Sequence, residues 1–570
     1  MGATIDAVTG TMLSRAPQAP PPSGDAAEVA APVAARVAAP VAAPSTRRRS
    51  ARRADRAAAA VFVAGSAVRI EQFMWRRSLW LDEALVTVNI VHRSFRGLLR
   101  PLSGHQGAPV GWLWAERTAV LTLGNNEDSL RLVPLAAGIA AIVLVYAVAR
   151  RLLGPWPAVL AAAVLAISPA AVRYSVEVKQ YSSDLAIGLA LVLLAVRAVS
   201  SRSPSAVWAW GVAGAVAIWF AHPAVFILCG TGAALMVGAV LTRDVERLRL
   251  IGRASALWVV SFAVAWWLVL RALGRDRFLH TYWKAGFAPR PLAPLSLAPW
   301  LARTPARLVH DPGSLPVPWV AAAVVALGIA ALAWRRPVYA AVLVLPVLAA
   351  AAAAVLGSFP LLGRMALWTL PVIAVGAAAA SAVAGRAKPW GAVLVATLIF
   401  VGPALTFARV AHDPTTWSDV RPLLVSVRPH LRPGDVVWVH SADTPTATYY
   451  ARSTGVALSA TLEDDLAGGA CSGIGDLRAA AAGHRVWFVY GYHASTAPPD
   501  EEHDLDEVFA SESHRLARVT RPQATATLWD FGASPDTAAA APGLGCIGVT
   551  PVTVVPTGIT AGPFGTGGPT

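Results

Sequence analysis

Charge is scarce in this chain. Lys, Arg, Asp and Glu make up 14% of the 570 residues, where an ordinary soluble domain carries about 25%. That excludes a water-soluble protein over most of the length. Cysteine is scarcer still: only Cys229, Cys471 and Cys546 occur, with no CxxC and no Cys/His ligand spacing, so thiolate zinc sites and dithiol redox motifs are excluded. A divalent metal is not indicated, and no Gly-rich phosphate loop is present to cradle a nucleotide. The first 45 residues contain no aromatic side chain, are rich in Ala and Pro, and read as disordered. They also lack the basic-then-apolar order of a signal peptide.

What is abundant is apolar sequence. Hydrophobic residues make up 55% of the chain, and the mean hydropathy is +0.53. Many runs approach the roughly 20 residues that cross a bilayer, and their Ala, Leu and Val content makes them helices, since only helices and closed barrels satisfy the backbone in lipid. The runs predict eleven spans, at 57–74, 129–149, 156–172, 183–199, 206–221, 224–242, 254–273, 316–334, 338–357, 365–384 and 389–408. The formal net charge of +15 does not indicate nucleic acid, because the arginines sit in short clusters between apolar runs, where the positive-inside rule puts them. Arg47, Arg48, Arg49, Arg52, Arg53 and Arg56 precede the first run and assign the N-terminus to the cytoplasm. Of the short loops that then face inward, five hold Arg150, Arg151, Arg197, Arg202, Arg243, Arg247, Arg249, Arg253, Arg335, Arg336, Arg386 and Lys388. Three short outward loops hold only Arg173, Lys179 and Arg364.

Ala108 to Gly124 is apolar enough to be mistaken for a span, but Glu116 and Arg117 occupy its centre, and counting it would turn the arginine pairs outward. It reads as an amphipathic helix on the outer membrane surface. Ala84 to Arg100 reads as a second, with Leu85, Val88, Leu98 and Leu99 toward lipid and Asn89, His92, Arg93 and Arg96 toward water. Beyond residue 408 the pattern changes. Val436–His440 (VVWVH) and Val486–Tyr490 (VWFVY) read as buried strands, Thr525–Phe531 as a further strand, and Trp417–Leu431 as a helix closed by Pro433 and Gly434. The expected organisation is a cytoplasmic N-terminus over 1–56, a membrane domain over 57–408, an extracytoplasmic α/β domain over 409–532 and an irregular Gly/Pro/Thr-rich tail over 533–570.

Polar residues gather on the outward side. Trp80-Leu81-Asp82-Glu83-Ala84 follows the first span. Adjacent carboxylates at a membrane surface are costly without partners or a role, though acids also suit a helix N-terminus. Ser103 to Pro109 forms a turn that carries His105 and Gln106. Arg173 to Asp184 (RYSVEVKQYSSD) packs Arg173, Glu177, Lys179, Gln180, Tyr181 and Asp184 into one loop. His222-Pro223 interrupts an apolar hairpin, and Gly363-Arg364 stands at the outer end of a span, where the arginine alone would read as snorkelling. Each has a bland reading as solvated surface. Five on one face supply carboxylates, cations, histidines and tyrosines for chemistry on a phosphate-bearing lipid.

These stretches resemble a family. SLWLDEA at 78–84, HQGAPVGWLW at 105–114, EDSLRLVPLAAG at 127–138, the 168–184 loop, WFAHPAVFILCG at 219–230 and GRMALWTLP at 363–371 are similar, in the same order, to the GT-C class of membrane glycosyltransferases. That class includes protein O-mannosyltransferases and lipid A aminoarabinose transferases. The 433–451 stretch resembles the exported tail of some members. The resemblance implies a multi-pass enzyme of the plasma (inner) membrane with two outer juxtamembrane helices and an external active site. It implies a polyprenyl-phosphate sugar donor and an acceptor hydroxyl on a glycan, lipid or protein. By that resemblance Asp82 is the base, with Glu83 as the alternative. Arg364, Lys179 and Arg173 are then expected to hold the donor phosphate, and His105, Gln106, Glu177, Gln180, Tyr181, Asp184 and His222 to line the pocket. The competing classes are a transporter or flippase, which would carry ionisable groups near the midplane, and an inert scaffold for cell-envelope glycan assembly. Cys471 and Cys546, the two cysteines on the outer side, are expected to pair.

Overall fold

The structure is a computed structural model that describes residues 44–412, 418–440, 443–461, 481, 483–491 and 501–532. Its helices are α1 (Pro44–Met74), α2 (Leu81–His92), α3 (Val110–Leu123), α4 (Glu127–Leu153), α5 (Pro155–Ile167), α6 (Pro169–Arg173), α7 (Tyr181–Ser200) and α8 (Pro204–Phe220). There follow α9 (Ala224–Leu241), α10 (Val245–Ala265), α11 (Arg277–Tyr282), α12 (Pro294–His310), α13 (Pro318–Arg335), α14 (Pro337–Leu356), α15 (Leu370–Ala387) and α16 (Pro389–His412). Among the described residues 9 helices are long and apolar enough to cross a membrane, and α5 and α8 are shorter apolar helices. Together they fall at the eleven expected positions of a multi-pass membrane protein. The expected disulfide and the two terminal segments, 1–43 and 533–570, lie outside the described residues. Cys229 is a free, exposed thiol.

The start signals are simple. The helices beginning at Pro155 and Pro337 each follow an arginine pair, and those at Pro204 and Pro389 follow Arg202 and Lys388. Proline in the first turn gives up an N–H that has no helical partner there anyway. Asn126 caps α4 through Ser129 N–H (2.9 Å), and Glu127 and Asp128 in its first turn complement the helix dipole. Inside the bundle small residues let backbones close in. A Cβ on Gly328 of α13 would lie 1.8 Å from the Gly376 carbonyl of α15, so only glycine fits that crossing. Arg69, fully buried in α1, donates to the carbonyls of Gly65, Leu165 and Ala166 and to Ser175 Oγ.

Several expectations need correction. The third span ends at Ile167, because Ser168-Pro169 starts a separate short helix whose cap is Ser168. The tenth begins as a 3₁₀ turn over Gly363–Thr369. The helix expected to reach Arg100 stops at His92, because Arg117 donates to the Ile90 and Val91 carbonyls and caps that end. Asn89 faces inward rather than toward water: its amide bonds Leu85 and Ser103 and ties the 103–107 turn to α2. Glu116 is fully buried in α3 with neither carboxylate oxygen partnered, and burial pushes its carboxyl well up. The stretch 274–317, which the sequence reading left without elements, holds α11 and α12.

The C-terminal part contains helices α17 (Val420–Val427), α18 (Thr444–Thr454) and α19 (Glu501–Glu512). Its strands are β1 (Val436–Val439), β2 (Ala460–Thr461), β3 (Arg485–Tyr490), β4 (His514–Arg521) and β5 (Ala524–Asp530), in the order β2-β1-β3-β5-β4. β1 runs parallel to β2 and β3, and β5 is antiparallel to β3 and β4. Both faces of β1 and β3 are covered, which is why they read as unbroken apolar runs. Val437, Val439, Trp487 and Val489 enter one core, and Trp438, Val486, Phe488 and Tyr490 another with Phe509 of α19. The first core also takes in Leu79, Val86, Ile90, Trp112 and Leu130. The sheet domain and the first loop are therefore one packed body.

Candidate active site

The site is assembled where odd-numbered connections meet at one end of the bundle. Asp82 stands in the first turn of α2. Its Oδ1 accepts from Lys179 Nζ at 2.9 Å, and its Oδ2 from Arg364 Nη1 at 2.6 Å. Residues 97 and 282 positions away in the chain thus share one carboxylate. Lys179 Nζ also donates to Gln106 Oε1 at 2.8 Å, while the Gln106 amide donates to the Gly104 carbonyl. Asp82 and Arg364 side chains are each 15% exposed and Lys179 4%. Arg364 does not snorkel. Its guanidinium lies near the rings of Tyr181 (5.8 Å) and Trp283 (5.1 Å), cation–π contacts on which a planar guanidinium can also stack and an ammonium cannot. Gly363 makes this turn possible: its φ is +52, and a Cβ there would lie 3.1 Å from Asp311 Oδ2.

The electrostatics follow from these contacts. Burial alone would raise the Asp82 carboxyl, but Lys179 and Arg364 outweigh it and hold it below the usual carboxylate range. Burial lowers the Lys179 ammonium, and Arg364 adds to that against the pull of Asp82. One negative and two positive groups leave a local charge of +1 (−1 + 1 + 1). Arg173 stands nearby, paired with Glu177 at 2.6 Å and stacked over Trp80 (5.9 Å) and Tyr174 (5.3 Å).

Glu83 is held by a different set of partners. Arg131 grips it bidentately (3.1, 3.0 and 2.8 Å), and the N–H groups of Val178 (2.8 Å) and Trp80 (3.4 Å) complete its shell. It is 1% exposed, with both oxygens turned to protein donors. Its bond to Val178 N–H fixes the neighbouring Lys179 opposite Asp82. Arg131 also holds the Arg77 and Ser78 carbonyls, which pins the chain entering the Asp82 turn.

The remaining expected residues surround this centre. Tyr181 packs on Tyr174 (5.1 Å) beside Arg364. Gln180 donates to the Gly107 carbonyl at 3.1 Å. The His222 main-chain N–H bonds the Asp184 carboxylate, and burial pushes the His222 imidazole down to about 4, so it is neutral at physiological pH. His105 turns away from Asp82 and pairs with Asp276 at 2.8 Å, against the ring of Phe278. Sequence reasoning missed Trp283 and Asp276, which lie in the unassigned 274–317 stretch. It also missed Arg131, which stands inside the family-like 127–138 stretch. Another missed anchor is Tyr450 of α18, whose hydroxyl accepts from Leu79 N–H (2.8 Å) and donates to Glu127 (2.8 Å), beside Arg421 on the same carboxylate. Among the described residues no group of three or more His, Cys, Asp and Glu side chains is placed to hold a metal.

Comparison with known proteins gives the class. Residues 107–267 match the family described as dolichyl-phosphate-mannose-protein mannosyltransferase. No curated protein matches the chain. Among solved structures, ArnT from Cupriavidus metallidurans in the apo state matches with TM-score 0.51 and 14% identity, over 84% of this chain and 99% of that one. The same protein bound to undecaprenyl phosphate matches with TM-score 0.51 and 14% identity, over 82% and 97%. The archaeal oligosaccharyltransferase AglB from Archaeoglobus fulgidus, in complex with an inhibitory peptide and a dolichol-phosphate, matches at TM-score 0.45 and 14% identity, over 76% and 69%. The fold is that of the GT-C class, as the loop motifs implied. The family match runs from before the second span into the seventh.

Proposed function

We propose that the protein moves a sugar from a polyprenyl-phosphate donor to an acceptor hydroxyl on the extracytoplasmic face, with inversion at the anomeric carbon. The observation that carries this reading is the pair of cations on one carboxylate, Lys179 and Arg364 on Asp82. A buried group of net charge +1 is costly to desolvate unless an anion joins it, and a lipid phosphate is an anion delivered at this depth. Asp82, kept ionised by its partners, removes the proton from the acceptor hydroxyl. The oxygen attacks the anomeric carbon, the bond from that carbon to the phosphate oxygen breaks, and its electron pair leaves on the phosphate. Lys179 and Arg364 stabilise that developing charge, with Arg173 in reserve. The donor phosphate competes with Asp82 for the two cations. Its arrival weakens their hold on the carboxylate and makes Asp82 a stronger base only when donor is bound.

The outward sidedness rests on the distribution of Arg and Lys between loops. The sheet domain lies at the same end as Asp82, since it packs on residues 79–130. Asp82→Asn keeps the size and the Lys179 contact but removes the base. Purified variant, assayed with a panel of radiolabelled polyprenyl-phosphate sugars, should insert and fold normally and lose transfer by at least 10²-fold, the lower end of general-base catalysis. Near wild-type turnover would remove Asp82 from the chemistry.

A further inference from the structure

The first turn of α7 carries polar groups that the ion cluster does not use. Gln180, Ser183 and Asp184 are 3%, 6% and 6% exposed. Asp184 N–H bonds the Gln180 carbonyl at 2.9 Å, so the helical register already runs from Gln180. Spacings of three and four then place these side chains on one face. Each holds a buried polar atom without a partner: Gln180 Oε1, Ser183 Oγ and Asp184 Oδ1. Buried polar atoms are seldom left so, and three on one helical face within one turn is a concentration.

One N–H of the Gln180 amide is committed to the Gly107 carbonyl, which leaves its oxygen free to accept and its second N–H free to donate. Asp184 takes the His222 main-chain N–H and has Oδ1 left over, which accepts when the carboxyl is ionised and can donate when it is protonated. Ser183 can give or take. An occupant must therefore both give and take hydrogen bonds, as a group rich in hydroxyls does. The face also has limits. One turn further on, a Cβ at Gly188 would meet Ile227 Cδ1 at 2.8 Å, so the polar strip closes against α9. At its other end it abuts Gly107 and Gln106, and Gln106 shares Lys179 with Asp82.

We infer that Gln180, Ser183 and Asp184 form the subsite for the ring hydroxyls of the donor sugar, and select the donor by its hydroxyl pattern. This rests on the proposed donor-dependent transfer. The lipid phosphate is held by Lys179 and Arg364, and the sugar it carries lies against the first turn of α7, with its hydroxyls hydrogen-bonded to Gln180 Oε1 and Asp184 Oδ1.

The test separates the sugar from its lipid. Equilibrium binding to purified protein in nanodiscs is measured for radiolabelled undecaprenyl-phosphate mannose, glucose and arabinose, and for bare undecaprenyl phosphate. The tightest-binding sugar donor is carried forward. Asp184→Asn keeps an oxygen for the His222 N–H and replaces the free oxygen by an amide nitrogen; Ser183→Ala removes one hydroxyl. Each should weaken the sugar donor about tenfold, the value of one well-made hydrogen bond, and leave bare undecaprenyl phosphate within about twofold. Equal weakening of both ligands would overturn the subsite in favour of a structural role. Unchanged binding of both would overturn it in favour of ordered water. Unchanged donor binding with a raised KM for acceptor would overturn it in favour of an acceptor site. Failure of the wild-type protein to bind any of the four lipids would instead sink the underlying donor reading.

Discussion

Removing Arg131 tests whether Glu83 is a strut or a reagent. Arg131→Met leaves the Glu83 carboxylate with only the Val178 and Trp80 N–H groups, in a site that is 1% exposed. Stranding one partner of a buried ion pair costs about 3–5 kcal/mol. Two structural consequences follow. The Arg77 and Ser78 carbonyls lose their donor, and Val178 is drawn out of register, carrying Lys179 away from Asp82. Transfer should fall by about 10²-fold or more, since small misplacements at a reacting centre are that costly. The thermal transition, followed by the fluorescence of the 21 tryptophans, should drop with it. The informative variant is the double one, Glu83→Gln with Arg131→Met. It removes both charges but keeps an oxygen for Val178 N–H. A buried pair replaced by neutral groups of similar volume is close to neutral in stability. The double variant should therefore melt above Arg131→Met, short of wild type by the donors that the Arg77 and Ser78 carbonyls still lack, and regain transfer relative to that single change. If it recovers stability yet stays as inactive as Glu83→Gln alone, Glu83 takes part in the chemistry and the strut argument is wrong.

Three further outcomes are expected. Lys179→Met takes away one of the two cations that hold Asp82 below the usual carboxylate range. The acid limb of kcat/KM should therefore move to higher pH; a limb that stays where it is in wild type would show that Asp82 is not the titrating base. Arg364→Lys keeps the charge but not the planar fork near Tyr181 and Trp283, and transfer should drop about 10²–10³-fold, in the range for loss of one donor to a developing anion. Donor kinetics like wild type in that variant would leave Arg364 as a structural partner of Asp82 and take it out of donor binding. Tyr450→Phe leaves Leu79 N–H without its acceptor, at a cost of about 1–3 kcal/mol, and should lower both the melting temperature and kcat, checked by the same fluorescence melt and transfer assay.

Much of the membrane domain was legible because its physics is one-dimensional. Length and apolarity decide a span, and a basic pair followed by proline decides where two of them begin. Arg150-Arg151 before Pro155 and Arg335-Arg336 before Pro337 are visible without knowing any contact. Errors arose where tertiary partners decide. Nothing local says that α2 ends at His92; the donor that caps it, Arg117, lies in another helix. Asn89 looks like a water-facing residue until Ser103 is known to be its partner. The strand β4 was missed for a related reason. Its HRLARVTR sequence is an exposed edge whose residues Arg515 and Arg518 pair with Glu502 and Asp506 of α19, so charge breaks up the kind of apolar run that marks β1 and β3.

The site divides in the same way. The individual clusters were legible because polar residues at the ends of apolar runs are conspicuous, and sidedness collects them at one end. Their pairing was not. Asp82 and Glu83 are adjacent and chemically alike, and apart from the family resemblance, which favours Asp82, the residues themselves give no reason to prefer one. The pleasing symmetry of two acids breaks only through geometry: successive side chains on a helix point about 100° apart, so one acid turns to Lys179 and Arg364 and the other into the core toward Arg131. The same geometry assigns the C-terminal domain. Glu127 reads as a dipole-complementing acid at the start of α4, and it is that, but it also accepts from Tyr450 and Arg421 of the sheet domain. Tyr450 in turn takes Leu79 N–H, three residues before Asp82. The sheet domain is thus coupled by hydrogen bonds to the backbone that carries the base, and a disturbance of it reaches Asp82 through Leu79 without crossing the membrane bundle.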